Sequence, residues 1–160
     1  MHLLDANTLI AANKDYYPFD RVPEYWEWIP YQGEIGNIKI PVEIWDEFTP
    51  NLKALQDWKK DNRNALVLDH DGYDADVPTI LAQYGHNLTE RELDRIGKDP
   101  FLIAAALRTD ATVVSRESSK RSLTRAKRRV PDICADLGIN CINDHQLIAA
   151  LDWSTSWRRP

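Results

Sequence analysis

Short apolar runs alternate along the chain with longer segments of mixed polarity. The runs are rich in β-branched residues, and each is followed by a polar residue and then by a plausible helix. We predict brief strands at Leu3–Leu4, Ile38–Ile40, Ala65–Leu68, Thr112–Val114 and Cys141–Ile142. Strands that alternate with helices form parallel sheets covered on both faces. The pattern therefore predicts an α/β fold of three layers, α/β/α, with a central parallel sheet of four to five short strands.

Capping residues mark the ends of several predicted helices. Asp99 and Pro100 open an almost wholly apolar helix, because proline favours the first turn. Thr89 and Glu92 have the Thr-x-x-Glu spacing of a capping box, and that helix is expected to stop near Gly97. Further helices are predicted at about 42–48, at 131–137 and within the aromatic-rich stretch 16–36.

Length and composition fit one globular domain. With 160 residues, 43% of them hydrophobic, the chain is long enough to build one core without disulfides. We expect one domain over residues 1–151 and a short tail, 152–160, whose lack of pattern suits a loose or partner-binding segment. No apolar run approaches the roughly 18 residues of a membrane span, and no basic leader precedes the first apolar residues. We expect a cytoplasmic protein that does not bind membranes.

Charge is distributed unevenly along the chain. The formal net charge is −5, yet residues 116–129 contain seven basic residues and a single acid, Glu117. A cationic stretch of this kind is typical either of a solvated helix face or of a surface that contacts phosphate. Charge alone does not choose between these two interpretations.

Several carboxylates directly follow predicted strands. In an open α/β sheet, ligands bind beyond the carboxyl ends of the strands, so acids at those positions are candidate site residues. Asp5 follows the first strand, and Asp69 and Asp71 follow the third. Glu117 lies two residues beyond Ser115 at the end of the fourth strand, on the same side of an extended chain.

Two further candidate acids are predicted on helices. Asp99 begins the most apolar helix, and either Glu43 or Glu47 lies on the helix after the second strand. Periodicity does not choose between these two glutamates, which are one turn apart. Taken singly, such acids are most often helix caps or surface charges. Three or four carboxylates together need a cation to stay ionised, and Mg²⁺ or Mn²⁺ would support phosphodiester hydrolysis by metal-activated water.

Four segments together resemble the sequence pattern of PIN-domain ribonucleases. In chain order these segments are Leu3–Ile10, Ile40–Phe48, Asp99–Ala106 and Thr112–Glu117. Their order and spacing match those of the family, and the likeness spans nearly the whole chain. The last third, with Val130–Cys134 and Gly138–Asn143, is most similar to an uncharacterised PIN-like group related to PIN-domain toxins of toxin–antitoxin pairs.

The resemblance implies a Mg²⁺- or Mn²⁺-dependent endoribonuclease, commonly the toxin of a bacterial toxin–antitoxin pair. It implies that four acids hold the metal and orient the attacking water: Asp5, Glu47, Asp99 and Glu117. Glu47 matches because the glutamate of the family directly precedes a large apolar residue. Asn7 and Ser115 would hydrogen-bond to these acids and fix their geometry. Glu117 stands where aspartate or asparagine is commoner, so direct and water-mediated metal contacts both stay open.

The basic run begins at the end of the fourth strand, so the resemblance places it beside the acidic pocket. We expect four side chains to hold the RNA backbone there: Arg116, Lys120, Arg121 and Arg125. A cognate antitoxin is the protein partner that the resemblance implies. The oligomeric state stays open, with a homodimer as one alternative.

Two functions of other classes stay open. One is a non-catalytic PIN-like module that binds RNA or protein, and the other is a DNA nuclease of the flap-endonuclease type. A degraded catalytic site should have lost at least one acid, whereas all four positions of this chain are acidic. Flap endonucleases usually carry further domains, for which 160 residues leave little room.

Overall fold

The computed structural model describes residues 1–69 and 72–160. Asp71, one of the acids that follow the third strand, lies outside the described residues. The sheet consists of β1 His2–Leu4, β2 Ile38–Pro41, β3 Val67–Leu68, β4 Thr112–Val114 and β5 Cys141–Ile142. All neighbouring strands of these described residues are parallel, in the spatial order β3-β2-β1-β4-β5. The predicted parallel sheet is confirmed.

Helices flank the sheet and complete the predicted α/β/α layers. They are α1 Ala6–Ala11, α2 Pro23–Glu34, α3 Val42–Glu47, α4 Lys53–Asp61, α5 Arg63–Leu66, α6 Val77–Tyr84, α7 Glu90–Ile96, α8 Asp99–Thr109, α9 Val130–Asp136 and α10 Asp144–Ala150. Three shorter helical segments connect them: a π-helical turn at Ala12–Tyr16 and 3₁₀ turns at Tyr73–Asp76 and Arg125–Lys127. The helix predicted within 16–36 is α2.

The predicted capping signals act as expected at α7. The Thr89 hydroxyl accepts a hydrogen bond from the Glu92 amide at 3.3 Å, and the Glu92 carboxylate accepts one from the Thr89 amide at 3.0 Å. Gly97 follows the helix with a φ of +62°, a conformation that glycine adopts without steric cost. The third strand is shorter than predicted because Ala65 and Leu66 belong to α5, where the Leu66 amide donates to the carbonyl of Asn62, the residue before the helix.

The core lies on both faces of the sheet. The middle of α8 is buried without interruption from Leu102 to Ala106, which explains its apolar sequence. On the other side, Trp58 donates a hydrogen bond from its indole nitrogen to the Trp26 carbonyl at 2.7 Å. Trp153, in the segment after α10, is buried and packs edge-on against Tyr25. The aromatic residues of α2 thus pack against side chains from distant parts of the chain.

Gly33 marks a close approach between α2 and α5. A Cβ atom there would lie 2.6 Å from the Ala65 carbonyl oxygen and 2.8 Å from Leu66 Cδ2. Since a backbone carbonyl cannot rotate away, we expect Gly33→Ala to lower the free energy of unfolding by about 1–3 kcal/mol despite alanine's higher helix propensity. Urea unfolding followed by tryptophan fluorescence measures this loss. Glu27→Ala, on the exposed side of α2, should change stability by less than about 0.5 kcal/mol; equal stability of both variants would contradict the prediction.

Candidate active site

The carboxyl ends of β1 and β4 meet at the point where the strand order reverses. From β1 the chain proceeds to β2 and β3 on one side, and it then returns to β4 and β5 on the other. Leu4 pairs with Val114, and the Asp5 amide donates to the Val114 carbonyl at 3.0 Å. A reversal of this kind leaves a crevice at the carboxyl edge of the sheet, where ligands bind in open α/β folds.

Asp5 lies in this crevice and is 4% exposed. Its carboxylate caps α1 by accepting a hydrogen bond from the backbone amide of Asn7 at 3.3 Å. The Ser115 hydroxyl donates a second hydrogen bond to it at 3.4 Å. Burial raises the pKa of Asp5, and the charge of Glu117 raises it further, while the hydrogen bonds from Asn7 and Ser115 oppose the rise. Asn7 and Ser115 therefore both hydrogen-bond to Asp5 and fix the orientation of its carboxylate.

Asp99 is the first residue of α8 and faces the same crevice. Burial is the main cause that raises its pKa to about 8, and the charges of Asp5, Glu117 and Glu47 add to the rise. A carboxyl group with this pKa is mostly protonated at neutral pH. A cation placed among these four acids would favour the ionised form and lower the pKa again.

Glu47, at the end of α3, belongs to this electrostatic cluster. Burial raises its pKa, and the charge of Asp5 raises it further. Its Oε1 lies 3.9 Å from the point where a Cβ at Gly97 would stand, so α3 ends over the turn that precedes α8. Glu43, one turn earlier, instead accepts a hydrogen bond from the Tyr73 hydroxyl at 2.8 Å. The charges that raise the pKa of Asp99 include that of Glu47.

Glu117 connects the acidic cluster to α9. Its carboxylate accepts the Val130 amide at 2.8 Å, and its own amide donates to the Ser115 hydroxyl at 3.3 Å. The same carboxylate raises the pKa of both Asp5 and Asp99 through its charge. One carboxylate oxygen of Glu117 is therefore hydrogen-bonded at the start of α9, while the negative charge of the group still raises the pKa of Asp5 and Asp99.

The chemistry of the four acids fits a hard divalent cation. Within residues 1–69 and 72–160, no three His, Cys, Asp or Glu side chains form a cluster arranged to hold a metal ion. The charges of neighbouring acids nevertheless raise the pKa of Asp5, Glu47 and Asp99. All four acids offer only oxygen ligands, which suit Mg²⁺ or Mn²⁺. The four side chains that would hold such an ion are Asp5, Glu47, Asp99 and Glu117.

Three of the four cations expected to bind RNA are paired with acids of the protein itself. Arg116 donates to Asp15 at 3.1 Å and to the Tyr16 hydroxyl at 2.9 Å. Arg121 donates to Asp136 at 3.2 Å, and Arg125 to Glu92 at 2.6 Å. Lys120 is exposed, and its backbone amide donates to Asp132 at 2.9 Å. These pairs leave less positive charge at the three arginines than the sequence alone indicates.

Other cations border the acids directly. A cleft of about 270 Å³ is lined by Asp99 and Glu117 together with Arg95, Lys127, Arg128 and Arg129. The sequence alone does not mark these four basic residues as neighbours of the acids. For Arg95, the available signal was its position four residues before Asp99, but the break at Gly97 hides the direction of its side chain. Lys127 and Arg129 belong to the basic run, where nothing in the pattern distinguishes them from their neighbours.

The fold and the site define an open parallel α/β domain with an acidic crevice at its strand-order reversal and a basic cleft beside it. The family described as "Domain of unknown function (DUF4411)" matches residues 2–155, and the chain belongs to this family. Searches among curated proteins and among solved structures gave no match. None of the helices in the described residues is both long and apolar enough to cross a membrane.

Proposed function

We propose that this protein is a Mg²⁺- or Mn²⁺-dependent endoribonuclease whose metal is held by Asp5, Glu47, Asp99 and Glu117. The observation that carries the proposal is the meeting of these acids at the strand-order reversal. The Ser115 hydroxyl donates to Asp5 and accepts from the Glu117 amide, and Asp99 and Glu117 line one cleft. The charges of the other three acids help to raise the pKa of Asp99 to about 8. A single acid at a strand end is usually a cap, but a carboxyl group whose pKa is raised by both burial and neighbouring charges is typical of a functional site. The resemblance to PIN-domain ribonucleases supplies the reaction and the RNA substrate.

The roles of the side chains follow from their positions. A divalent ion at this site would activate water and stabilise charge on the scissile phosphate. Asp5 is held by Asn7 and Ser115, so its carboxylate is oriented before any ligand arrives. Asp99 would hold a cation as the ionised carboxylate, so metal binding would release its proton. The basic residues of the neighbouring cleft offset the repulsion between the acids and an RNA phosphate.

A finer proposal is that the nuclease is the toxin of a bacterial toxin–antitoxin module. Its support is the ordered set of four motifs and the similarity of the last third to the PIN-like group described above. The neighbouring gene should then encode a small DNA-binding antitoxin, and expression of the nuclease alone should stop growth while co-expression restores it. Normal growth during expression of an RNA-cleaving protein would leave the nuclease proposal standing and reject the toxin proposal.

RNA cleavage tests the proposed function. We expect labelled RNA to be cut in Mg²⁺ or Mn²⁺ and not in EDTA. Glu47→Gln should lower the rate by more than about 100-fold, since it removes the charge of a proposed metal ligand and changes to residues that only support such ligands already cost about 10–100-fold. The reaction is followed on denaturing gels as initial rate against metal concentration.

Glu43→Gln is the matched control for Glu47→Gln. It lies on the same helix, and its amide oxygen can still accept the Tyr73 hydrogen bond, so the cleavage rate should stay within about threefold of wild type. Equal rates in metal and in EDTA would reject metal-dependent cleavage. Binding of RNA without any cleavage would favour the non-catalytic module, and preferential cutting of branched DNA would favour the flap-endonuclease class.

A further inference from the structure

Two neighbouring clefts share one wall. The cleft that contains Asp99 and Glu117 continues into a second cleft of about 510 Å³, which is lined mainly by residues of α7 and of the turn Arg125–Lys127. Arg95 and Lys127 line both clefts. We call the two together the basic groove. It leads from Arg91 on α7, past Arg95 and Lys127, to the acidic crevice.

The basic groove contains unneutralised charge. Arg91 and Arg95 are exposed and one helical turn apart on α7, a spacing at which like charges lower helix stability. Within the described part of the chain, Arg91, Arg95 and Lys127 form no ion pair. Arg125 and Arg128, by contrast, are neutralised by Glu92 and Asp136 respectively. A row of three uncompensated cations in a concave surface is typical of an anion-binding site.

Arg125 holds one wall of the basic groove in place. Its Nε and Nη2 donate to the two carboxylate oxygens of Glu92 at 2.6 and 2.8 Å, and its Nη1 donates to the His86 carbonyl at 3.2 Å. The guanidinium lies against Gly85, where a Cβ would be 3.2 Å from Nη1. Arg125 itself has a φ of +52°, an uncommon conformation for a residue with a side chain. Arg125 is therefore a positioning residue that fixes Lys127 near Arg95.

We propose that one strand of RNA lies in the basic groove, with its phosphates contacting Arg91, Arg95 and Lys127 before the chain reaches Asp99 and Glu117. The identity of the substrate rests on the proposed function. Phosphate contacts of this kind set the position of a strand without reading its sequence. The clefts have volumes in the range of small-molecule pockets, which suits a few nucleotides of one strand better than a duplex.

Binding of single-stranded RNA in EDTA tests the basic groove separately from catalysis. The probe is a fluorescein-labelled RNA of mixed sequence, and its anisotropy is measured over a series of salt concentrations. In the Arg95→Ala/Lys127→Ala double variant, the slope of log affinity against log salt should become shallower by about 1.4, since each contact to a single strand contributes about 0.7. If the two proteins bind equally at high salt, this amounts to about 25-fold weaker binding after a tenfold dilution of salt.

The control removes the same two charges elsewhere. Arg108 and Lys53 are exposed and pair with Asp76 and Asp57, so Arg108→Ala/Lys53→Ala should bind RNA within about twofold of wild type. Circular dichroism verifies that both double variants are folded, and single variants replace a double variant that is not.

Three results would overturn the inference: no binding of RNA by wild type, equal salt slopes for wild type and the groove variant, or tighter binding of a DNA duplex of equal length. Because no metal is present, these results are independent of cleavage. Equal salt slopes together with metal-dependent cleavage by wild type would reject the groove and keep the nuclease. Groove-dependent RNA binding without cleavage would keep the groove and reject the nuclease.

Discussion

Asp99→Asn is expected to reduce metal-dependent RNA cleavage by more than about 100-fold, and Asp5→Asn to do the same. Asparagine keeps the size of aspartate but removes the negative charge that a divalent cation needs. Changes to residues that only support metal ligands already cost about 10–100-fold, so the loss of a ligand should cost more. Initial rates at several Mg²⁺ concentrations, measured with one RNA, give the comparison.

Asp110→Asn provides a matched control on the same helix. Asp110 follows the last residue of α8, at the opposite end from Asp99, and has a φ of +52° that asparagine adopts readily. We therefore expect a stable protein with cleavage within about twofold of wild type. Wild-type rates in both Asp5→Asn and Asp99→Asn would show that these acids hold no catalytic metal.

The second large effect concerns stability and pH. In metal-free buffer, the contribution of Asp99 to the free energy of unfolding should fall as pH rises from about 4 to about 8. The pKa of Asp99 is raised from its ordinary 3.8 to about 8, so the native state holds this proton more tightly than the unfolded state does. Stability from this group is full below the lower value and is lost as pH approaches the higher one. The total change is on the order of a few kcal/mol.

Urea unfolding in EDTA of wild type and Asp99→Asn isolates this contribution. The variant should be the more stable protein at pH 8, and the difference should shrink toward pH 4. Added Mg²⁺ should raise the Tm of wild type more at pH 8 than at pH 5, since binding requires the ionised acid, and should raise that of the variant little. A variant less stable than wild type at pH 8 would contradict this account.

The sheet and three of the four acids could be predicted from sequence because they follow local rules. A short apolar run between helical segments forms a strand, and an acid just after a strand lies at its carboxyl end. Asp5 and Glu117 needed only these rules. Asp99 needed one more observation, the proline that fixes the start of α8. The resemblance to a family then singled out Glu47.

The charges around the acids depend on distant contacts that no local rule contains. Arg116 pairs with Asp15, which is 101 residues away in the chain. Arg125 pairs with Glu92, whose other partner is the Thr89 cap. A run of seven cations gives no sign of which members meet an acid in the folded chain. Periodicity likewise left Glu43 and Glu47 equivalent. In the folded chain, Glu47 lies near Gly97 in the turn before α8, whereas Glu43 accepts a hydrogen bond from Tyr73.

The parallel pairing of β1 with β4 also sets when the crevice forms during synthesis. Asp5 emerges from the ribosome first, but Ser115, which donates a hydrogen bond to it, is 110 residues further along the chain. At about 5–20 residues per second, the second half of the acidic site follows the first by roughly 5–20 seconds. A nascent chain therefore lacks the assembled acidic site until Ser115 and Glu117 have left the ribosome.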